Sequence, residues 1–336
     1  MAKIIKIKCT NGINLADAVD DIFFELMDQF HFVESNQPDF ILFGPYGNDI
    51  PKPGKYIRIG YFCENILPDF SICDYAFGIP SEDEIRNKRY YRIQWHGLNP
   101  NKLIKHLTEN DIDQIISQKT SFCNFLYSNK VSYREAFFKQ LSKYKKVDAP
   151  GKSMNNMPSI DNQFTGGIWD IKRQFLSPYK FTIAFENYVY PGYQTEKLYD
   201  AMLCNSLPIY CGDPNINKIF NTDSFVNVSD YLEKKTGIMV KTLERLSQQS
   251  FTDYRPATHN GFMQKAIRKI KIQGRNLKMK LQFNNLDFSE VIDSVIEIDK
   301  NQDLYATYLR QPWFKNNTVD MGTTNKEHWM TIFNRK

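Results

Sequence analysis

The sequence predicts an α/β protein with two domains, each built on a parallel sheet flanked by helices. Short apolar runs alternate with stretches of helical apolar spacing in both halves of the chain, which is the pattern of βαβ units. The 336 residues are enough for two domains of ordinary size, each with its own core. A hydrophobic content of 42% with 24% charged residues is typical of an ordered globular protein.

The first domain is expected to span residues 1–117. It begins with a strand, a helix and a second strand, predicted at residues 4–7, 15–30 and 40–43. After the turn-forming residues 44–47, three more strands are predicted at residues 56–61, 74–77 and 90–93. Residues 99–119 are polar and favour a helix at the end of this domain.

The second domain is expected to span residues 118–310 and to repeat the same alternation. Strands are predicted at residues 122–127, 180–185 and 207–210, and helices at residues 133–144 and 196–203. The last segment, residues 311–336, is expected to pack back on the first domain.

The charge pattern changes between residues 231 and 286. This stretch holds twelve Lys and Arg residues against three acidic ones, concentrated in residues 265–280. The pattern indicates a basic helical insertion in the second domain. One interpretation is that its charged face is simply solvated. The alternatives are that it contacts the part of a functional site that takes an acceptor substrate, or an anionic membrane surface.

The six cysteines, at positions 9, 63, 73, 123, 204 and 211, contain no Cys-x-x-Cys pair. This spacing argues against a zinc or redox site and favours reduced core residues. No apolar run is long enough to span a membrane, and the first residues lack the apolar core of a signal peptide. We therefore expect a cytoplasmic protein, with peripheral contact at the inner membrane surface through residues 231–286.

The segment from Phe185 to Lys197 has the features of an anion site. It leaves a buried strand, crosses the turn Pro191-Gly192 and enters a helix at the capping residue Thr195. The first turn of a helix favours a phosphate, and Lys197 adds a cation that opposes the helix dipole unless an anion binds. Glu196 is an acceptor suited to two ribose hydroxyls. The alternative is a capped surface helix with an ordinary Glu–Lys pair.

Several short segments together resemble a known family. They are Tyr179-Lys180-Phe181, Ala184-Phe185-Glu186-Asn187, Tyr193-Gln194-Thr195-Glu196-Lys197 and Leu207-Pro208-Ile209-Tyr210. In this order they are similar to the donor-binding signature of the α-1,3/4-fucosyltransferases, glycosyltransferase family 10. The resemblance extends to Glu64-Asn65 in the first half and to Gln311-Pro312-Trp313-Phe314 near the end.

The resemblance implies a GT-B architecture, in which two Rossmann-like domains face each other across a cleft. It also implies an inverting transfer of L-fucose from GDP-fucose to an acceptor oligosaccharide. The expected product is an α-1,3 linkage to GlcNAc or Glc of a lactose or N-acetyllactosamine type acceptor. Neither a cofactor nor a metal is expected, and neither is nucleic acid as a partner.

The resemblance also implies roles for eight residues of this chain. Glu64 would be the general base, Glu196 would bind the ribose, and Lys197 and Arg134 would bind the pyrophosphate. The remaining four would line the same donor pocket: Ser128, Asn129, Asn187 and Tyr193. Independently of the family, Glu64 follows an apolar strand, and ligand clefts of α/β sheets lie at that end of the strands.

Other function classes fit the sequence less well. No Gly-x-Gly-x-x-Gly or Walker phosphate loop is present, which disfavours dinucleotide oxidoreductases and kinases. The triplet Asp111-Ile112-Asp113 resembles the metal motif of other glycosyltransferases, but it lies in a polar helical stretch, and we interpret it as accidental. A non-catalytic protein that binds sugar nucleotides or glycans, or a GT-B transferase with another donor, remains the alternative.

Overall fold

The computed structural model describes residues 2–47, 49–93, 99–231, 237–254, 261–283, 285–319 and 325–335. Parts of two predicted segments lie outside these residues. They are 232–236, 255–260 and 284 of the basic stretch, and 320–324 and 336 of the C-terminal segment.

A six-stranded parallel sheet organises the first part of the chain. Its strands run in the order β2-β1-β3-β4-β6-β7. The elements of this part are β1 (Lys3–Thr10), α1 (Leu15–Asp21), β2 (Phe30–Glu34), β3 (Phe40–Phe43), β4 (Ile57–Phe62), β5 (Ile66–Leu67), β6 (Tyr75–Gly78), α2 (Glu82–Ile85), β7 (Tyr90–Arg92) and α3 (Glu109–Gln118).

A five-stranded parallel sheet organises the second part, in the order β12-β11-β10-β8-β9. The elements are β8 (Ser121–Asn124), α4 (Ser132–Leu141), β9 (Val147–Asp148), α5 (Ile168–Leu176), β10 (Tyr179–Phe185), α6 (Glu196–Leu203), β11 (Leu207–Cys211), β12 (Val226–Asn227), α7 (Ile238–Ser247), β13 (Gln249–Ser250), α8 (Phe251–Tyr254), α9 (Phe262–Gln282), α10 (Ser289–Lys300), α11 (Gln302–Arg310) and α12 (Asn325–Phe333).

The two sheets confirm the predicted α/β class. Every residue of β3 and β11 is buried, as expected of parallel strands covered by helices on both faces. The first sheet ends at Arg92 and the second begins at Ser121. The limits of the predicted domains, 1–117 and 118–310, stay predictions.

The predicted helix at residues 15–30 is wrong in its second half. Helix α1 ends at Asp21, because two consecutive amides, of Ile22 and Phe23, bond to the carbonyl of Ala18 and tighten the chain. This turn places the Phe23 ring in the core, stacked at 4.4 Å on Phe32 of β2. Residues 24–26 form only a 3-10 turn, and strand β2 begins at Phe30, the last residue of the predicted helix.

Residues 99–119 form a helix only in their second half. A 3-10 turn covers Pro100–Leu103, and α3 begins after Thr108. The backbone and hydroxyl of Thr108 both donate to the Asp111 carboxylate, at 2.7 and 2.6 Å, so Asp111 closes a capping box at the start of its own helix.

The C-terminal helix α12 packs on the first sheet rather than on the second. Trp329 stacks on Phe77 of β6 with ring centroids 3.9 Å apart. Phe333 contacts the rings of Phe30, Phe32 and Phe40. The chain thus returns from the second part to complete the core of the first.

The basic stretch 231–286 contacts both parts of the molecule. Strand β13 pairs in parallel with β5, which directly follows Glu64, and the side-chain amides of Gln248 and Asn65 bond to each other. The predicted helix is confirmed as α9. The solvated-face interpretation holds for the exposed Lys265, Lys269 and Lys280, but it is wrong for Arg275 and Lys278, which are 5% and 1% exposed.

Candidate active site

Glu64 lies just beyond the carboxyl end of β4, and two tyrosine hydroxyls hold its carboxylate. Tyr46, in the loop after β3, donates to Oε1 at 3.0 Å. Tyr193, from the second part of the chain, donates to Oε2 at 2.6 Å. One phenol on each oxygen fixes the orientation of the carboxylate, with one donor from each side of the cleft.

The loop between β10 and α6 contains the predicted Pro-Gly turn. Gly192 has φ +79°, a left-handed conformation that favours glycine. Helix α6 then begins at Glu196, with Thr195 in the N-cap position as predicted, but the Thr195 hydroxyl does not cap the helix. It donates to the carboxylate of Glu186 at 2.8 Å instead.

Glu186 is the buried centre of this loop. Its side chain is fully buried, it accepts the Thr195 amide at 2.8 Å, and its Oε2 lies 3.3 Å from Lys197 Nζ. Burial raises the pKa of Glu186, an effect that the nearby Lys197 opposes. A buried carboxylate in this position requires a cation, and Lys197 supplies it.

Lys197 is therefore already paired inside the protein. Its ammonium also donates to Thr195 Oγ1 at 2.8 Å and to Glu196 Oε1 at 3.2 Å. Burial alone would lower the pKa of Lys197, but the carboxylates of Glu186 and Glu196 raise it above its ordinary value. The sequence argument took the cation at the start of α6 as a sign of an external anion; in the structure, these two carboxylates balance it.

Glu196 remains an ionised acceptor at the mouth of the cleft. Burial would raise the pKa of this carboxyl, but Lys197 and Lys172 together lower it to about 2. Lys172 of α5 also forms an ion pair at 2.7 Å with the buried Asp200. The carboxylate of Glu196 is partly exposed, and it can accept hydroxyl groups of a ligand.

Arg134, early in α4, is a buried cation with only neutral partners. Its Nη1 donates to Asn187 Oδ1 at 3.2 Å and its Nη2 to the carbonyl of Asn129 at 2.9 Å. The guanidinium lies 4.0 Å from the centre of the Tyr127 ring, and its Nε has no hydrogen-bond partner. No carboxylate pairs with Arg134 within the described ranges, so this positive charge, in a side chain that is only 1% exposed, has no internal counter-charge there.

A cavity of about 300 Å³ brings the predicted base together with two of the predicted donor residues, Glu196 and Lys197. Glu64 lines it from the first part, and Thr195, Glu196 and Lys197 line it from the second. Arg134, Asn187 and Tyr193 reach the same region through the hydrogen bonds described above.

Ser128 lines a neighbouring cavity of about 550 Å³ rather than the first one. Asn129 contributes its carbonyl to Arg134. The exposed Trp169 of α5 lies on the wall of both cavities and so connects them.

Sequence reasoning missed four residues of this region. Glu186 could have been found, because it directly follows a buried strand, where α/β ligand sites lie. The other three come from distant loops and helices and carry no local signal: Tyr46, Trp169 and Lys172.

Among the described residues, no cluster of three or more His, Cys, Asp or Glu side chains could hold a metal ion. The expectation of metal-free chemistry stays a prediction. No helix in the described ranges is long and apolar enough to cross a membrane.

Comparison with protein families adds an independent result. Residues 7–98 match the N-terminal domain of the alpha-(1,3)-fucosyltransferase FucT, and residues 116–256 match the C-terminal domain of glycosyltransferase family 10 (fucosyltransferase). The chain belongs to glycosyltransferase family 10. The first match contains Glu64 and the second contains all seven predicted donor residues, whereas α9 to α12 lie beyond it. The predicted insertion therefore begins inside the family domain.

Two relatives illustrate the similarity within family 10. The alpha-(1,3)-fucosyltransferase FucT of Helicobacter pylori is 29% identical over 225 residues, which cover 55% of this chain and 45% of that protein. Alpha-(1,3)-fucosyltransferase B of Drosophila melanogaster is 31% identical over 132 residues, 37% of this chain and 29% of that protein. The matched segments thus span less than half the length of these relatives.

A solved structure confirms the fold of this family 10 protein. The crystal structure of an alpha1,3-fucosyltransferase with GDP-fucose superimposes with a TM-score of 0.60 at 20% identity. The superposition covers 99% of this chain and 91% of that one. The GT-B type architecture expected from the sequence is therefore established for nearly the whole chain.

Proposed function

We propose that this family 10 protein transfers L-fucose from GDP-fucose to a hydroxyl of an acceptor glycan. One observation carries the proposal: the Glu64 carboxylate and the Lys197 ammonium line the same cavity from opposite sides of the cleft. A transferase needs a base for the incoming hydroxyl and cations for the departing phosphate, and this cavity contains both. The names of the two relatives support fucose transfer with an α1,3 linkage, and the similar crystal structure, which contains GDP-fucose, supports that donor.

We propose that the transfer inverts the configuration at the anomeric carbon. The acceptor hydroxyl would attack from the side of Glu64, which takes its proton as the new bond forms. GDP would leave on the opposite side, towards Arg134, Lys197 and the start of α6. Attack and departure on opposite faces through an oxocarbenium-like state invert the configuration.

Different donor residues would bind different parts of the nucleotide. Glu196, ionised because Lys197 and Lys172 lower its pKa, would accept hydrogen bonds from the ribose hydroxyls. Arg134, which pairs with no carboxylate among the residues that the structure describes, would bind the pyrophosphate, and Lys197 would share its charge between the pyrophosphate and Glu186. Asn187 and Tyr193 would lie near the phosphate and the fucose, and Ser128 and Asn129 would line the pocket beside them. No metal is required in this scheme.

Transfer from GDP-fucose to lactose and N-acetyllactosamine tests the proposal directly. We expect a fucosylated product with an α1,3 linkage to Glc or GlcNAc, read by NMR, and equal rates with and without EDTA. Binding of GDP-fucose without turnover of any acceptor would instead identify a non-catalytic binding protein. Turnover with a UDP-sugar in preference would identify another donor.

We also propose that this protein acts in the cytoplasm at an anionic membrane surface. All six cysteines are unpaired, which supports a reducing compartment. Helix α9 contains seven Lys and Arg residues and no acidic ones. It also exposes large apolar side chains, Phe262 at 88% and Ile270 at 70%. Apolar residues beside cations are typical of helices that lie on anionic lipid.

Vesicle co-sedimentation separates this contact from self-association. We expect binding to vesicles of phosphatidylcholine with phosphatidylglycerol, little binding to phosphatidylcholine alone, and loss of binding in F262S/I270S. The matched control is I4S, which alters another exposed apolar residue, on β1. A concentration-dependent dimer with no lipid binding would contradict the proposal.

A further inference from the structure

Helix α9 holds the loop that connects Asn187 to Tyr193. Lys278 Nζ donates to the carbonyl of Val189 at 2.7 Å and lies 4.1 Å from the centre of the Tyr190 ring. The same ammonium pairs with Glu244 of α7 at 2.7 Å. This lysine is only 1% exposed, and these groups compensate its charge only in part, since burial still lowers its pKa.

Arg275, one turn earlier on α9, likewise contacts a tyrosine ring of this loop and a group on α7. Its guanidinium lies 5.0 Å from the centre of the Tyr188 ring, and its Nη1 donates to the carbonyl of Ser247 at the end of α7 at 2.7 Å. Residues three positions apart face the same side of a helix, so both cations point to the same loop. Together they contact three consecutive residues, 188–190.

Burying two cations is unfavourable unless each has partners that compensate its lost hydration. The exposed Lys265 and Lys280 on the same helix keep their hydration and do not have this cost. Two cations buried against a short loop therefore indicate that the position of this loop matters to the protein.

The loop ends at the residue that holds the proposed base. Tyr193 donates its hydroxyl to Glu64, and Asn187 Nδ2 lies 3.4 Å from the same tyrosine oxygen. The donor residues have other supports. Arg134 bonds to the carbonyl of Asn129, and Lys197 pairs with Glu186, so neither depends on residues 188–190 alone.

We propose that Arg275 and Lys278 are positioning residues, which hold residues 188–190 and thereby keep Tyr193 bonded to Glu64. The inference rests on the proposed function, because it gives this hydrogen bond a role in transfer. It assigns to α9, beyond the matched family domains, an effect on the base but not on nucleotide binding.

The decisive experiment is a double-mutant cycle between K278M and Y193F. K278M alone should lower kcat about tenfold while GDP affinity, measured by calorimetry, stays within about threefold. In the Y193F background, K278M should cause little further loss, because the hydrogen bond through which it acts is already absent. K278R should recover most of the rate, and K280M, an exposed cation on the same helix, should match the wild type.

Hydrogen exchange gives a second readout that does not require turnover. Amides of residues 188–193 should lose protection in K278M, while those of α6 keep it. Additive losses in the cycle, or a parallel fall of kcat and GDP affinity, would overturn the inference.

If K278M does not fold, R275M enters the same cycle with the same expectations. If the wild type transfers no fucose, the proposed function fails on its own, and unchanged exchange in residues 188–193 would then overturn the positioning role as well.

Discussion

The Tyr193 hydroxyl donates a 2.6 Å hydrogen bond to Glu64 Oε2, although the two residues belong to different parts of the molecule. The bond crosses the cleft between the two sheets and joins the loop that precedes α6 to the end of β4. It places the proposed base against the loop that contains two of the predicted donor residues, Asn187 and Tyr193. The consequences can be tested residue by residue.

Replacement of Glu64 should abolish most of the transfer without loss of nucleotide binding. A positioned general base contributes about 10²- to 10⁴-fold, so E64A should lower kcat by that factor. GDP affinity should stay near that of the wild type, because Glu186 and Glu196 raise the pKa of Lys197 more than Glu64 does. Initial rates and calorimetry measure the two effects, and E290A, an exposed acid on α10, is the control. Near-normal kcat in E64A would place the base elsewhere.

Replacement of Lys197 should damage both stability and binding, because its partner Glu186 is fully buried. K197M leaves that carboxylate without its cation, which typically costs about 3–5 kcal/mol of unfolding free energy. The double variant K197M/E186Q removes both charges and should recover much of this stability without recovering GDP affinity. Urea unfolding and calorimetry separate the two. Recovery of GDP binding in the double variant would show that Lys197 acts only as the partner of Glu186.

Replacement of Arg134 should reduce GDP affinity much more than it reduces stability. This guanidinium has no carboxylate partner in the described ranges, so R134M removes a buried cation without leaving an unpaired acid. We expect a small change in Tm together with a loss of GDP affinity of about 10- to 100-fold, the size of one or two charge-assisted hydrogen bonds. R134K keeps the charge but not the planar fork, and it should bind with intermediate affinity. Unfolding of R134M with no specific loss of GDP binding would indicate a structural cation.

Acid should destabilise the wild type more than the variant E196Q. Lys197 and Lys172 lower the pKa of Glu196 from 4.5 to about 2, against the opposite effect of burial. A carboxyl with a lowered pKa stabilises the fold above its unfolded pKa, and it loses that contribution as pH falls from about 4.5 towards about 2. Urea unfolding at about pH 5 and about pH 3 should therefore show a smaller loss in E196Q. Equal losses would mean that the charge of Glu196 adds nothing to stability. The Glu196 carboxylate also helps to raise the pKa of the buried Glu186, so the comparison reports the effect of both carboxyls together.

Local sequence patterns predicted an element correctly where the residues that start and end it lie next to it in the chain. Helix α6 begins at Glu196 and ends at Leu203, as predicted: Thr195 just before it has the extended backbone of an N-cap residue, and the turn at Gly192 precedes it. Periodicity failed at residues 22–30, where the apolar spacing fits a helix but the Phe23 ring stacks in the core on Phe32 of β2. The preference of these residues for the core outweighed their helical spacing.

By itself, the sequence determined the alternation of strands and helices, the family, and the residues of the donor loop, because these depend on local spacing and on motifs that lie together in the chain. Only the tertiary structure decided which groups lie next to each buried cation. Lys197 is balanced by Glu186, Arg134 has no carboxylate within the described ranges, and Lys278 is buried against Val189. The reason is physical: the cost of a charge depends on its burial and on the groups around it, and both are set by contacts between residues that are distant in the chain.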